Sequence, residues 1–232
     1  MDYEDKIIEN FQKSWDTHME AFGPILGPAF MQNFEARVHL TAALNSLSKG
    51  KTKTFFANLS HLKDFCSSDE DCAAWFFFMG LGFELSGMKE EMLRYYNECI
   101  KYSPSFSRPY LMVAKCAHAN SNLSFAEENY RKALELLENE KLPAQTALVK
   151  ASAYTNYFSC LTSLGKYSEA ESALKKSEEI LPDFTLRLHY AAILYAYMGN
   201  EEKLSEYLLR LKKENKELYD STVKLIDNLS GK

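Results

Sequence analysis

The chain has 232 residues, only 9 Gly and 6 Pro, 46% hydrophobic and 25% charged residues, and a net charge of −5 from 27 basic and 32 acidic side chains. Turn-formers at about half their usual share leave little room for hairpins, and the composition excludes disordered, collagenous and disulfide-scaffold classes. Without a long basic run, a general affinity for nucleic acid is not expected.

In chain order, Met1-Asp2-Tyr3-Glu4-Asp5 carries acid where an export signal needs positive charge, so an unexported, soluble, cytoplasmic protein is expected. Residues 2–22 read as a helix, Gly23-Pro24 and Gly27-Pro28 break the chain, and 29–48 and 52–66 form a predicted helical pair around Lys49-Gly50-Lys51. Ser67-Ser68-Asp69-Glu70-Asp71 reads as a loop and helix start. The longest uncharged run, Cys72 to Phe83, is shorter than the roughly 18–20 residues that span a bilayer, so no membrane partner is expected. The five cysteines, Cys66, Cys72, Cys99, Cys116 and Cys160, are an odd number in mostly apolar surroundings. They read as free thiols in a reducing compartment. The Cys66–Cys72 spacing favours neither zinc nor a disulfide, and no metal or cofactor is expected.

From residue 73 onward a repeat emerges. Gly165 and Gly199 lie 34 residues apart, and Pro104 and Pro182 each follow a turn glycine, Gly87 or Gly165, by 17. The segment from Ala153 through Leu164-Gly165-Lys166-Tyr167 to Ala170, Leu174, Ser177 and Pro182 sets the pattern. Phe76, Met79, Gly80 and Phe83 repeat it before Gly87, with Met92, Tyr96 and Cys99 after it. Tyr110, Val113, Ala114 and Ala117 with Ala126, Tyr130 and Ala133 form another unit. Leu188, Ala191, Ala192 and Tyr195 with Leu204, Leu208 and Leu211 form the last. Small residues sit where two backbones approach, and large ones fill the remaining gaps.

This pattern resembles the tetratricopeptide repeat, a helix–turn–helix unit of about 34 residues. The resemblance covers residues 73 to 218 and implies an all-α, right-handed superhelical solenoid of antiparallel helix pairs. It divides the chain into N-terminal helices with a degenerate repeat (1–66), the repeats (67–215) and a C-terminal capping helix (216–232). Phe158 stands in a small-residue slot, which predicts a wider crossing there. The ten extra residues between the second and third units include Leu142-Pro143-Ala144-Gln145, and a helix from Pro143 to Leu164 is predicted. Ser124 with Glu127 reads as a capping box, and Asn200 as an N-cap.

No catalytic constellation is recognisable. Gly80-Leu81-Gly82 lies inside an apolar helix and reads as a packing feature. His18, His39, His61, His118 and His189 show no paired spacing, and Glu127-Glu128, Glu178-Glu179 and Glu201-Glu202 read as helix starts or solvated faces. The resemblance instead implies a groove lined by Phe77, Leu81 and Glu84; Arg108, Leu111, Lys115 and His118; Thr155, Asn156 and Ser159; and His189, Tyr190 and Ile193. Core packing competes with the groove for Phe77, Leu81 and Ile193. The family's carboxylate clamp is matched at Asn156 alone, with Leu111, Leu186 and Tyr190 where it needs basic residues, so chaperone-tail binding is not expected. The expected function is a non-enzymatic scaffold for a protein or peptide partner. The alternatives are a homodimer built through the N-terminal helices or Phe76-Phe77-Phe78, and a regulatory peptide-sensing module.

Overall fold

A computed structural model describes residues 3–139 and 145–229, and every regular element among them is helical. The chain divides into two compact units, Met1–Cys116 and Ala117–Lys232. The first contains α1 (Tyr3–Phe22), a 3-10 turn (Gly23–Ile25), α2 (Pro28–Gln32), α3 (Phe34–Ser48), α4 (Thr52–Leu62), a second 3-10 turn (Lys63–Phe65), α5 (Asp69–Leu85) and α6 (Lys89–Tyr102). Helix α7 (Ser107–Ala119) carries the division. The second unit continues with α8 (Leu123–Asn139), α9 (Gln145–Ser163), α10 (Tyr167–Ile180), α11 (Thr185–Tyr197), α12 (Glu201–Glu214) and α13 (Lys216–Leu229). No helix among the described residues is long and apolar enough to cross a membrane.

One turn recurs five times among the described residues. Gly50, Gly87, Ser121, Gly165 and Gly199 take positive φ, from 59° at Ser121 to 73° at Gly165. At each, the following amide donates to a carbonyl one helical turn and more behind it: Lys51 N to Ser46 O, Met88 N to Phe83 O, Asn122 N to Ala117 O, Lys166 N to Leu161 O and Asn200 N to Tyr195 O, all at 2.8–3.0 Å. The positive-φ residue itself donates to the carbonyl three before it. This is the Schellman closure, which satisfies the last carbonyls of a helix and reverses the chain within three residues. The next helix must then fold back against the one just ended, as α4 does on α3, α6 on α5, α10 on α9 and α12 on α11.

The pairs close on small residues. A Cβ on Gly80 would lie 2.7 Å from the Tyr96 ring, and one on Gly82 only 2.4 Å from Phe55, so Gly80-Leu81-Gly82 is where α6 and α4 approach α5. Ala114, Ala126, Ala133, Ala170, Ala191 and Ala192 are fully buried in the corresponding places. Ser177 takes an alanine slot, and its hydroxyl meets Thr155 Oγ1 at 2.9 Å and donates to Ala151 O at 3.0 Å. The first unit's core gathers Trp15, Phe30, Leu40, Phe55, Leu59, Trp75, Phe78 and Tyr96; the second's gathers Phe158, Leu161, Leu174, Leu188, Leu194 and Leu211.

Several sequence expectations need correction. The helix predicted over 29–48 is two helices, because Asn33 leaves the helical region and its side chain accepts from Ala36 N to cap α3. The helix predicted over 52–66 ends at Leu62 and tightens into a 3-10 turn. Ser124 is no cap, since α8 has already begun at Leu123. Glu127 is not a solvated end residue either; it is 7% exposed and holds Lys166 Nζ at 2.8 Å and Arg131 at 2.9 Å. The capping box lies at Ser68 and Asp71, before α5. Asn200 caps α12 as expected, accepting from Lys203 N. Leu142, Pro143 and Ala144 lie outside the described residues, so the predicted start at Pro143 does too; α9 is described from Gln145.

Candidate functional site

In the second unit, α9, α11 and α13 are the leading helices. α11 packs on both neighbours, and α10 and α12 back them. Two of the leading helices, α9 and α11, are nearly uncharged, whereas α13 carries Lys216, Glu217, Asp220, Lys224 and Asp227. Gln145–Ser163 carries only Lys150 as a charged residue, and Thr185–Tyr197 carries only Arg187, which is fully buried. The backing helices hold most of the ionic side chains.

Helix α11 buries Leu188, Ala191, Ala192 and Tyr195 along one stripe. Helical spacing then turns Leu186, Tyr190, Ile193 and Tyr197 to another. Leu186 and Tyr197 are 40% and 47% exposed, and Tyr190 and Ile193 are half-buried. His189 packs edge-on against the Tyr190 ring at 4.8 Å, and its Nδ1 lies 2.7 Å from Thr222 Oγ1 on α13. That hydroxyl already donates to Leu218 O at 2.6 Å, so the proton between the two groups belongs to Nδ1. Burial holds the His189 pKa below its ordinary value, so the ring is neutral near pH 7 and keeps Nε2 as an acceptor.

Helix α9 adds a stripe of small polar side chains. Asn156 donates Nδ2 to Ser152 O at 2.9 Å, which leaves its Oδ1 as an acceptor, and Ser163 donates to Ser159 O at 3.2 Å. His118 Nε2 reaches Ser163 Oγ at 3.4 Å, and burial lowers its pKa as well. Thr155, expected in the groove, is instead fully buried: its hydroxyl donates to Ala151 O and faces Ser177. A β-branched hydroxyl that satisfies itself within its own helix turn fits a tight crossing.

In the first unit, Phe77 is 5% exposed among Phe78, Tyr96 and Phe106, and Leu111 is 9% exposed. Leu81 is half-buried against the same cluster. Glu84 accepts from Tyr96 Oη at 3.0 Å, and the pKa of Tyr96 is raised first by burial and then by this carboxylate. Arg108 is half-buried and Lys115 exposed. Phe76 stacks on Tyr102 at 5.4 Å. His39 and His61, far apart in sequence, stack at 4.7 Å across the α3–α4 pair. Among the described residues, no group of three or more His, Cys, Asp or Glu could hold a metal ion.

Two residues escaped the sequence reading. Thr222 orients His189, and nothing in its local sequence marks it. Arg187 buries its guanidinium and donates to the carbonyls of Ser177 (3.0 Å), Leu181 (2.6 Å) and Pro182, which closes the C-terminal end of α10. An arginine five residues after a helix-ending proline was the available signal.

No family model matches the sequence, and no curated protein matches it. Solved structures do. YrrB, a TPR protein with an unusual peptide-binding site, superposes with a TM-score of 0.61 at 20% identity, over 84% of this chain and 96% of its own. PilW, a type IV pilus biogenesis factor, gives 0.63 at 14% identity over 78% of each chain. TTC0263, a thermophilic TPR protein of Thermus thermophilus, gives 0.53 at 15% identity, over 81% of this chain and 98% of its own. Likeness at such identities is likeness of fold, and the fold of this chain is that of the tetratricopeptide-repeat proteins: an all-α array of helix pairs.

Proposed function

We propose that the chain is a non-enzymatic binding scaffold that takes up a protein or peptide segment on the leading helices of its pairs. The observation that carries this reading is the uncharged stripe Leu186, Tyr190, Ile193 and Tyr197 on α11, beside the Asn156 and Ser159 stripe on α9. Apolar side chains left partly in solvent on a rigid helix gain from being covered, at about 25 cal/mol for each Å². Asn156 Oδ1 and His189 Nε2 supply acceptors for the backbone amides of such a segment. YrrB, of the same fold, has a peptide-binding site. In the first unit the corresponding contributions come from Leu81, Glu84, Arg108 and Lys115, with buried Phe77 and Leu111 beneath them. Helix α13 acts as a cap on the second unit's last pair.

The test is capture of partners from native lysate, with mass spectrometry, by wild type and by Asn156→Ala/Tyr190→Ala. Loss of about 1.4–3 kcal/mol of binding, or at least tenfold in affinity, is expected with the helical circular-dichroism signal and melting curve retained. Unchanged capture by the folded variant would overturn the assignment.

A further inference from the structure

The α4–α5 joint brings together two cysteines that the sequence spacing gave no reason to pair. Cys66 follows the 3-10 turn Lys63–Phe65, and Cys72 lies in the first turn of α5; both are half-buried and free. The chain between them curls around Asp71. The Asp71 carboxylate accepts from the amides and hydroxyls of Ser67 and Ser68 and, through its other oxygen, from Ala29 N at 3.0 Å. This curl returns Cys66 to the start of α5, where its Sγ lies 3.8 Å from Asp71 O, the carbonyl bonded to Cys72's own nitrogen, and 3.7 Å from Leu62 O. Cys66 Sγ therefore lies against the peptide group that leads into Cys72.

We propose that Cys66 and Cys72 form a reversible intramolecular disulfide on exposure to hydrogen peroxide, making this joint a redox modification site. The Cys72 thiolate attacks one peroxide oxygen; the O–O bond breaks, the departing hydroxide takes a proton to leave as water, and Cys72 becomes a sulfenic acid. Cys66 sulfur then attacks the Cys72 sulfur, the S–O bond breaks, and the hydroxide departs as water with the Cys66 proton. Two thiols are oxidised by two electrons and one peroxide is reduced to two waters. Burial raises the Cys66 thiol to about 12, so Cys66 does not start the reaction; it enters second, losing its proton to the departing hydroxide as its sulfur attacks. Cys99 and Cys160 are fully buried in the core. Cys116 is half-buried and burial raises its pKa, so it is expected to stay a thiol.

The experiment treats the full chain with hydrogen peroxide under native conditions, then counts thiols after denaturation and maps disulfides by non-reducing digestion and mass spectrometry. Thiols are expected to fall from five to three, with one Cys66–Cys72 linked peptide and recovery of all five on adding dithiothreitol. On oxidation, amides across Ser67–Asp71 are expected to exchange hydrogen at least tenfold more slowly, because the curl is closed covalently. Cys66→Ser and Cys72→Ser should each abolish the linked peptide. The mapping in wild type needs no variant. Retention of all five thiols, or a linked peptide joining another pair, would overturn the proposal.

Discussion

Arg187 joins the start of α11 to the end of α10. A guanidinium taken entirely out of water is costly unless its donors are met, and here Nη1 meets Ser177 O and Leu181 O and Nη2 meets Pro182 O, at and just beyond the end of α10. Its Nε has no close acceptor; the nearest carboxylate, Glu178, stands at 3.9 Å and is already bonded by Tyr207 Oη at 2.8 Å. Arg187→Met keeps the volume and removes the donors, orphaning the Leu181 and Pro182 carbonyls, while Ser177 O keeps its bond from Leu181 N. A loss of about 3 kcal/mol in the urea-unfolding free energy is expected. The histidines give a second prediction. Burial lowers His118 and His189 from their ordinary 6.5, so the native state binds fewer protons than the unfolded chain. Their contribution is therefore complete above pH 6.5 and is lost as pH falls below it. Thermal melts from pH 8 to 5 should show a falling Tm, and His118→Gln/His189→Gln should flatten that stretch. At lower pH, Glu127 and Glu171, held below the usual carboxylate range by hydrogen bonds from Lys166 and Lys203, continue the loss below 4.5. None of these roles shows in local sequence, because each depends on which helix lies opposite.

At the scale of the element, the turn sets the fold. Four of the five reversals place glycine at positive φ, and Ser121 is the exception at 59°. An L-residue in that region costs about 1–2 kcal/mol, against about 0.5–1 kcal/mol for the extra freedom of glycine in the unfolded chain. Ser121→Gly should therefore stabilise by about 0.5–1 kcal/mol, and Gly87→Ala, with open space around its Cβ, should destabilise by about 1 kcal/mol through conformation alone. Chemical denaturation of the two variants against wild type checks both signs. The glycines made the repeat readable from sequence, and so did the buried small residues facing Tyr96 and its counterparts. Ser121 hid the α7–α8 turn among ordinary polar residues. Helix starts were read less well: Asn200 caps α12, whereas Ser124 lies inside α8 and Ser68 with Asp71 forms the capping box. A serine three residues before a carboxylate marks a helix start only where the backbone has not yet turned helical.

At the scale of the molecule, charge in the second unit is sparse on α9 and α11 and dense on α10, α12 and α13. Lys203–Glu171 joins the backing helices α10 and α12, and Lys166–Glu127 ties the α9–α10 turn to α8. The α11 stripe carries no exposed ionic group. Binding on that face is expected to draw little from counterion or ion-pair effects, so Kd for a captured partner should change less than about threefold between 0.05 and 0.5 M salt, measured by titration calorimetry. A steep salt dependence would place the contact on the charged helices instead. Sequence alone determined that the chain is helical and repeats, because helical periodicity, small residues at crossings and glycines at reversals are each written locally. The tertiary structure decided which groove candidates face solvent. Phe77, Leu111 and Thr155 turn inward, whereas Tyr190, Ile193 and Asn156 remain half-open, since whether a neighbouring helix covers a residue depends on packing that helical spacing does not contain. It also decided that Cys66 returns to the first turn of α5, because the Asp71 carboxylate draws in the Ser67 and Ser68 amides and bends the chain there.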